Sequence, residues 1–115
     1  MKMTDMDNEQ KYLEKIREIG HVWVAMKRNV ALSFVDDEAA IGLPVWSSYS
    51  DAQEFLNLFS SYSDFSPVEV PLETFRYSWL LNDSMKIAEV IISPNGLSKR
   101  NYVLTTTEFA NTYWH

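Results

Sequence analysis

Residues 41–55, IGLPVWSSYSDAQEF, decide how the chain is read. Ile41 to Trp46 has the apolar, β-branched character of a strand, and a helix signal follows almost at once. Pro44 has no backbone donor, which places this strand at a sheet edge or at the end of a ladder rather than at its centre. Ser50 followed by Gln53 has the spacing of a capping box, so the helix is expected to start there. Asp51 and Glu54 fall in its first turns, where a carboxylate complements the positive end of the macrodipole. Ala52, Phe55, Leu56 and Phe59 make one apolar stripe, and Trp46 is expected in the core.

Working toward the N-terminus, Asp36, Asp37 and Glu38 form a polar turn ahead of that strand. His21 to Lys27, HVWVAMK, reads as another strand, with Val30 to Val35 as its hairpin partner. Arg28 and Asn29 make the turn, and Asn29 is the residue expected to take positive φ. Tyr12, Leu13, Ile16 and Ile19 recur at helical spacing, with Asp5 and Asp7 ahead of them and Gly20 as terminator.

Toward the C-terminus, residues 60–67 (SSYSDFSP) read as a loop whose Tyr62 and Phe65 are candidates for a contact surface. After a short extended piece, Val68 to Val70, Pro71 opens a helix with Leu72, Phe75, Trp79 and Leu80 on one face and Glu73 in its first turn. Lys86 to Ile92 is the most apolar strand signal and is closed by the turn sequence SPNG, in which Gly96 permits positive φ. Tyr102 to Leu104 is a short last strand. Thr105 with Glu108 repeats the capping-box spacing, and Phe109 and Tyr113 follow at i, i+4 on a terminal helix. The expected fold is therefore α+β: a single domain over residues 1–115, with a small antiparallel sheet packed against about four helices.

Composition limits the function classes. The chain has 115 residues, no cysteine and 46% hydrophobic residues, which suits one folded domain and removes disulfides, thiolate nucleophiles and Cys-based zinc sites. The N-terminus is polar and acidic, and no apolar run approaches the roughly 18 residues of a membrane span, so a cytoplasmic location is expected. A net charge of −6 disfavours nucleic acid and anionic membranes as partners. Residues 29–75 contain no Lys or Arg and eight acids: Asp36, Asp37, Glu38, Asp51, Glu54, Asp64, Glu69 and Glu73.

The order of motifs resembles a bacterial family, the domain of unknown function 2750. The residues that carry the likeness are Val22-Trp23, Asp36-Asp37-Glu38, Leu43-Pro44-Val45-Trp46, Tyr49 at a helix start, Pro71-Leu72-Glu73-Thr74-Phe75 and Pro94-Asn95-Gly96. The match covers nearly the whole chain. It departs at the hairpin, where the family tends to carry a Gly-Trp pair and this chain has Asn29, Val30 and Ala31. The Leu-Pro-Val-Trp stretch also resembles SseB-type small bacterial domains. The resemblance implies an α+β fold and a bacterial source, and it supplies no catalytic residues.

Catalysis is not expected. His21 opens a strand and His115 is the last residue; neither has the setting of a general base. There is no G-x-S-x-G, glycine-rich phosphate loop or H-E-x-x-H, and the Asp36–Glu38 run lacks the alternating ligands and central glycine of a calcium loop. No cofactor or metal is expected. The reading that fits best is an immunity protein that binds and neutralises a basic bacterial toxin, such as a nuclease of a contact-dependent inhibition system. Asp36, Asp37, Glu38, Asp51, Glu54 and Asp64 would supply charge, with Tyr49 and Tyr62 as aromatic anchors. The free protein would be a monomer or weak dimer. The alternative is a non-catalytic regulatory or scaffold domain that binds a cellular protein or pairs with itself along the Pro44 strand. A sensor with a small-molecule pocket between sheet and helices is a third possibility. Trp23 and Trp79 are expected to be structural, and lysines at Asp36, Asp37 and Glu38 are expected to leave the fold intact.

Overall fold

Alternation along β1 (His21–Lys27) sets the layout, because successive side chains of a strand leave on opposite faces. Val22 and Val24 enter one apolar cluster, while Trp23 and Ala25 face another. The computed structural model describes residues 5–94 and 102–114. Helix α1 (Asp5–Ile19) precedes β1 and ends at Gly20, whose φ of +77° reverses the chain while its amide donates to the Ile16 carbonyl at 2.9 Å. Leu13 and Ile16 bury against the Val22 face.

The hairpin after β1 differs from the single partner strand read from the sequence. β2 (Val30–Ala31) pairs with β1, whereas β3 (Phe34–Val35) pairs antiparallel with β4 (Ile41–Val45) in a second sheet. Leu32 is the point of transfer: its amide still bonds the Ala25 carbonyl, at 2.8 Å, and its side chain is buried with Trp46 and Phe55. Positive φ falls on Arg28, at 58°, rather than on Asn29.

With β5 at Ser66–Pro71, β6 at Ile87–Ile92 and β7 at Tyr102–Thr105, the sheets order among the described residues as β2-β1-β5 and β3-β4-β6-β7. β5 runs antiparallel to β1, and β7 antiparallel to β6. β4 and β6, however, are parallel, so the expectation of an all-antiparallel sheet is corrected to a mixed one. β4 is also an inner strand, not an edge. Pro44 is tolerated there because the β3 ladder covers only Ile41 and Gly42, leaving Pro44 beyond its end. Trp23 and Trp46 exchange backbone hydrogen bonds of 2.9 and 2.8 Å, which join the two sheets along one seam.

Helices cover both faces. Phe75 and Phe109 join α1 on the Val22 face, while Ala52, Phe55 and Leu56 of α2 (Tyr49–Asn57) pack with Trp46 on the other. The short α3 (Leu72–Thr74) runs on into a π-helix, Phe75–Leu80, and α4 (Thr106–Tyr113) starts on the expected Thr105–Glu108 capping box. Tyr113 fastens α4 to α1: its hydroxyl donates to the Leu13 carbonyl at 2.9 Å, and Arg17 lies 5.3 Å over its ring. The tetrapeptide turn after β6 is described only as far as Pro94; Asn95 and Gly96 lie outside the described residues, as does His115.

Candidate functional site

The linker between β4 and α2 caps the helix two residues earlier than its sequence suggests. Ser48, not Ser50, is the N-cap, and its hydroxyl accepts from the Asp51 amide at 3.1 Å. Gln53 turns instead along the helix, donating to Asn57 at 2.9 Å. The earlier start puts Asp51 in the first turn but leaves Glu54 in the second, beyond the reach of the macrodipole. The two carboxylates stand at i, i+3 on one side of α2, where like charges repel. The last turn of α2 holds no base, and neither carboxylate has a side-chain hydrogen bond or an ion pair among the described residues.

Because β4 and β6 are parallel, their carboxyl ends emerge together beside the start of α2. Trp46 follows β4 and Ser93 follows β6, and the Ser93 amide donates to the Val45 carbonyl at 2.7 Å. The Trp46 indole donates to the Pro94 carbonyl at 2.8 Å, holding the two strand ends in register. Between them lies a cleft of about 280 Å³. Asp51 and Glu54 flank it, Tyr12 reaches it from α1, and Trp46, Phe55, Ser93 and Pro94 complete its lining. Ligand crevices of open sheets with parallel strands form at this position, outside the carboxyl ends of the strands.

Ser93 is unusual in two ways. Its φ is +45°, a conformation that disfavours a residue with a Cβ. It is only 8% exposed, and its hydroxyl has no hydrogen-bond partner among the described residues. A buried hydroxyl without a partner is uncommon, and it calls for a reason in structure or function.

The acids and aromatics expected from sequence do not form one patch. Tyr49, Asp51 and Glu54 belong to the carboxyl end of β4, whereas the Asp36–Glu38 turn precedes its amino end, near Tyr62, whose ring lies 6.4 Å from Phe34. Asp36 is engaged in that turn: its carboxylate accepts from the amides of Glu38 and Ala40 at 2.8 and 2.9 Å. Asp64 lies 3.7 Å from Lys27, so a base-free stretch of sequence is not a base-free surface. Tyr62 stacks on Phe55 and meets Phe59 and Phe65, which makes it part of the second cluster. Tyr49 is 52% exposed, its ring edge-on to Trp23 at 5.6 Å. His21 lies 3.3 Å from Glu69 and against Trp23. Among the described residues no cluster of three or more His, Asp or Glu side chains could hold a metal ion, and no helix is long and apolar enough to cross a membrane.

The profile of the family described as "Protein of unknown function (DUF2750)" matches residues 9–112. The chain belongs to the DUF2750 family. A search of curated proteins finds no match to it. In this DUF2750 chain the motif residues serve the architecture first: Trp46 closes the seam between the sheets, and α2 begins at Tyr49 as the family resemblance implied. The site residues that sequence reasoning missed are Tyr12, Ser93 and Pro94. Ser93 and Pro94 read only as a turn, and without the parallel pairing nothing brings them to Trp46.

Proposed function

We propose that the chain is a non-catalytic binding protein of the immunity type, which neutralises a basic bacterial toxin domain, a nuclease foremost, through its acidic surface. The observation that carries this reading is the pair Asp51 and Glu54, which stand together on α2 beside a cleft and are compensated by no base of the described chain. Partner cations would supply the missing compensation and would draw the partner in at long range. The exposed Tyr49 extends the surface, Asp37 and Glu38 stand apart beyond the other end of β4, and Asp36 and Asp64 serve it less, being tied to their own turn and to Lys27. The position of β4 between β3 and β6 weighs against the alternative of pairing with a second copy along the Pro44 strand.

The test is capture on the tagged protein from its native bacterial lysate at low salt, with bound proteins identified by mass. The expected result is a basic toxin domain that high salt releases and whose activity the purified protein blocks at equimolar ratio. Capture only of a partner insensitive to salt, with no loss of any toxin activity, refutes the reading and favours a scaffold role.

A further inference from the structure

The cleft at the carboxyl ends of β4 and β6 combines two independent features. Two carboxylates with no ion pair among the described residues, Asp51 and Glu54, line it. Ser93 also lines it, nine-tenths buried, with a hydroxyl that no group among the described residues satisfies. The carboxylates can only accept, and the Ser93 hydroxyl, which can donate as well as accept, bonds neither of them among the described residues, so all three keep acceptor capacity for an incoming donor. The volume, about 280 Å³, is at the small end for a ligand pocket and suits one side-chain-sized group rather than a cofactor. Trp46 and Phe55 supply aromatic wall. A flat cation with several diverging N–H donors fits this set better than a spherical ammonium, because it can serve separate acceptors at once and lie against a ring.

We propose that this cleft is a guanidinium site, which takes an arginine side chain of the protein partner; this rests on the binding reading above. Asp51 and Glu54 accept from the guanidinium edge, the Ser93 hydroxyl turns to accept a further N–H, and the indole of Trp46 packs beside the plane. The Trp46–Pro94 hydrogen bond fixes the two strand ends that carry this wall.

The experiment follows the Trp46 indole N–H resonance by NMR, assigned by its absence in Trp46→Phe, during titration of the full chain. The probes are the capped peptide acetyl-Gly-Arg-Gly-amide, its lysine counterpart, and agmatine as a free small guanidine. The expected result is a saturable shift with the arginine peptide at millimolar concentration and binding weaker by several-fold for the lysine peptide. In Asp51→Asn/Glu54→Gln the affinity should fall about tenfold with the fold retained, and in Ser93→Ala by about threefold. Agmatine binding as tightly as the peptide, or more so, would overturn the partner side chain in favour of a free metabolite. Absence of a saturable shift, or one unchanged in Asp51→Asn/Glu54→Gln, overturns the site. Equal salt-sensitive capture of a basic toxin by the wild type and by Asp51→Asn/Glu54→Gln removes this site but spares the binding reading. A bound arginine peptide with no toxin captured does the reverse.

Discussion

Replacing Trp46 by Phe tests whether one side chain ties the two sheets together. Trp46 is 1% exposed, packs on Phe55 at a ring distance of 5.4 Å and donates its indole N–H to the buried Pro94 carbonyl. Phe keeps a ring but has roughly three fewer heavy atoms, a loss of ~2 kcal/mol in transfer energy. The Pro94 carbonyl loses its donor inside the protein, which costs ~1–3 kcal/mol. The sum is ~3–5 kcal/mol against a total stability of roughly 6–17 kcal/mol for a chain of 115 residues. The variant therefore still folds, and its urea midpoint falls by roughly 2–3 M if m is near 1.5 kcal/mol per M. Trp23→Phe, at a half-buried ring, is the control and should cost ~1 kcal/mol or less. A loss under ~1 kcal/mol in Trp46→Phe, or one equal to the Trp23 control, refutes the idea that the indole hydrogen bond and buried ring hold the seam.

Other consequences are open to similar measurement. Tyr113→Phe removes the bond to the Leu13 carbonyl and should lower stability by ~0.5–1.5 kcal/mol in denaturant. Burial raises the Tyr113 hydroxyl well above its ordinary pKa of 10, against a weaker downward pull from Arg17. With the folded value above the unfolded one, this stability is fully present below pH 10 and is lost as pH rises beyond it; the alkaline fall in melting temperature should be shallower in Tyr113→Phe. Gly42→Val should cost ~1–3 kcal/mol, because even a Cβ there stands 3.0 Å from the Ile91 Cδ1. Ile91→Ala in the same chain should recover part of it, and strict additivity in that double-mutant cycle would deny the contact. Asp36→Lys should cost ~1 kcal/mol through its two lost turn bonds, whereas Asp37→Lys with Glu38→Lys should be neutral for folding within ~0.5 kcal/mol.

The elements were legible where the periodicity was strong and local. The HVWVAMK strand, the Gly20 stop, the Thr105–Glu108 box and the buried Trp46 all follow from side-chain alternation and backbone chemistry acting within a few residues. Three features were not legible, and each depends on distant residues. The Val30–Val35 run carries one alternating pattern, yet it serves two sheets because Leu32 follows the pull of the Trp46 cluster. Pro44 signals an edge or a ladder's end, and only the shortness of the β3 ladder, which stops at Gly42, decides for the second inside an inner strand. Trp23 and Trp79 look like anchors from hydrophobicity alone, although both are only partly buried while Trp46 is almost fully so. The site was half legible: Asp51 and Glu54 were named for their charge, but Tyr12, Ser93 and Pro94 reach them through the parallel β4–β6 pairing, which no local pattern encodes.

The energetics at Ser93 bear on whether the cleft serves folding or binding. Positive φ on a residue with a Cβ costs ~1–2 kcal/mol, and a buried hydroxyl without a partner costs ~1–3 kcal/mol. The repulsion between Asp51 and Glu54 adds ~0.2–0.5 kcal/mol on the same cleft. None of these helps the fold, and strain gathered at one crevice is the pattern of a site that meets a ligand. Ser93→Gly removes the first two costs and adds back ~0.5–1 kcal/mol of backbone entropy. It should therefore raise stability by ~1 kcal/mol or more in urea denaturation while weakening arginine-peptide binding. If Ser93→Gly destabilises the chain instead, the hydroxyl has a structural partner in solution and the energetic case for a binding cleft at the ends of β4 and β6 fails.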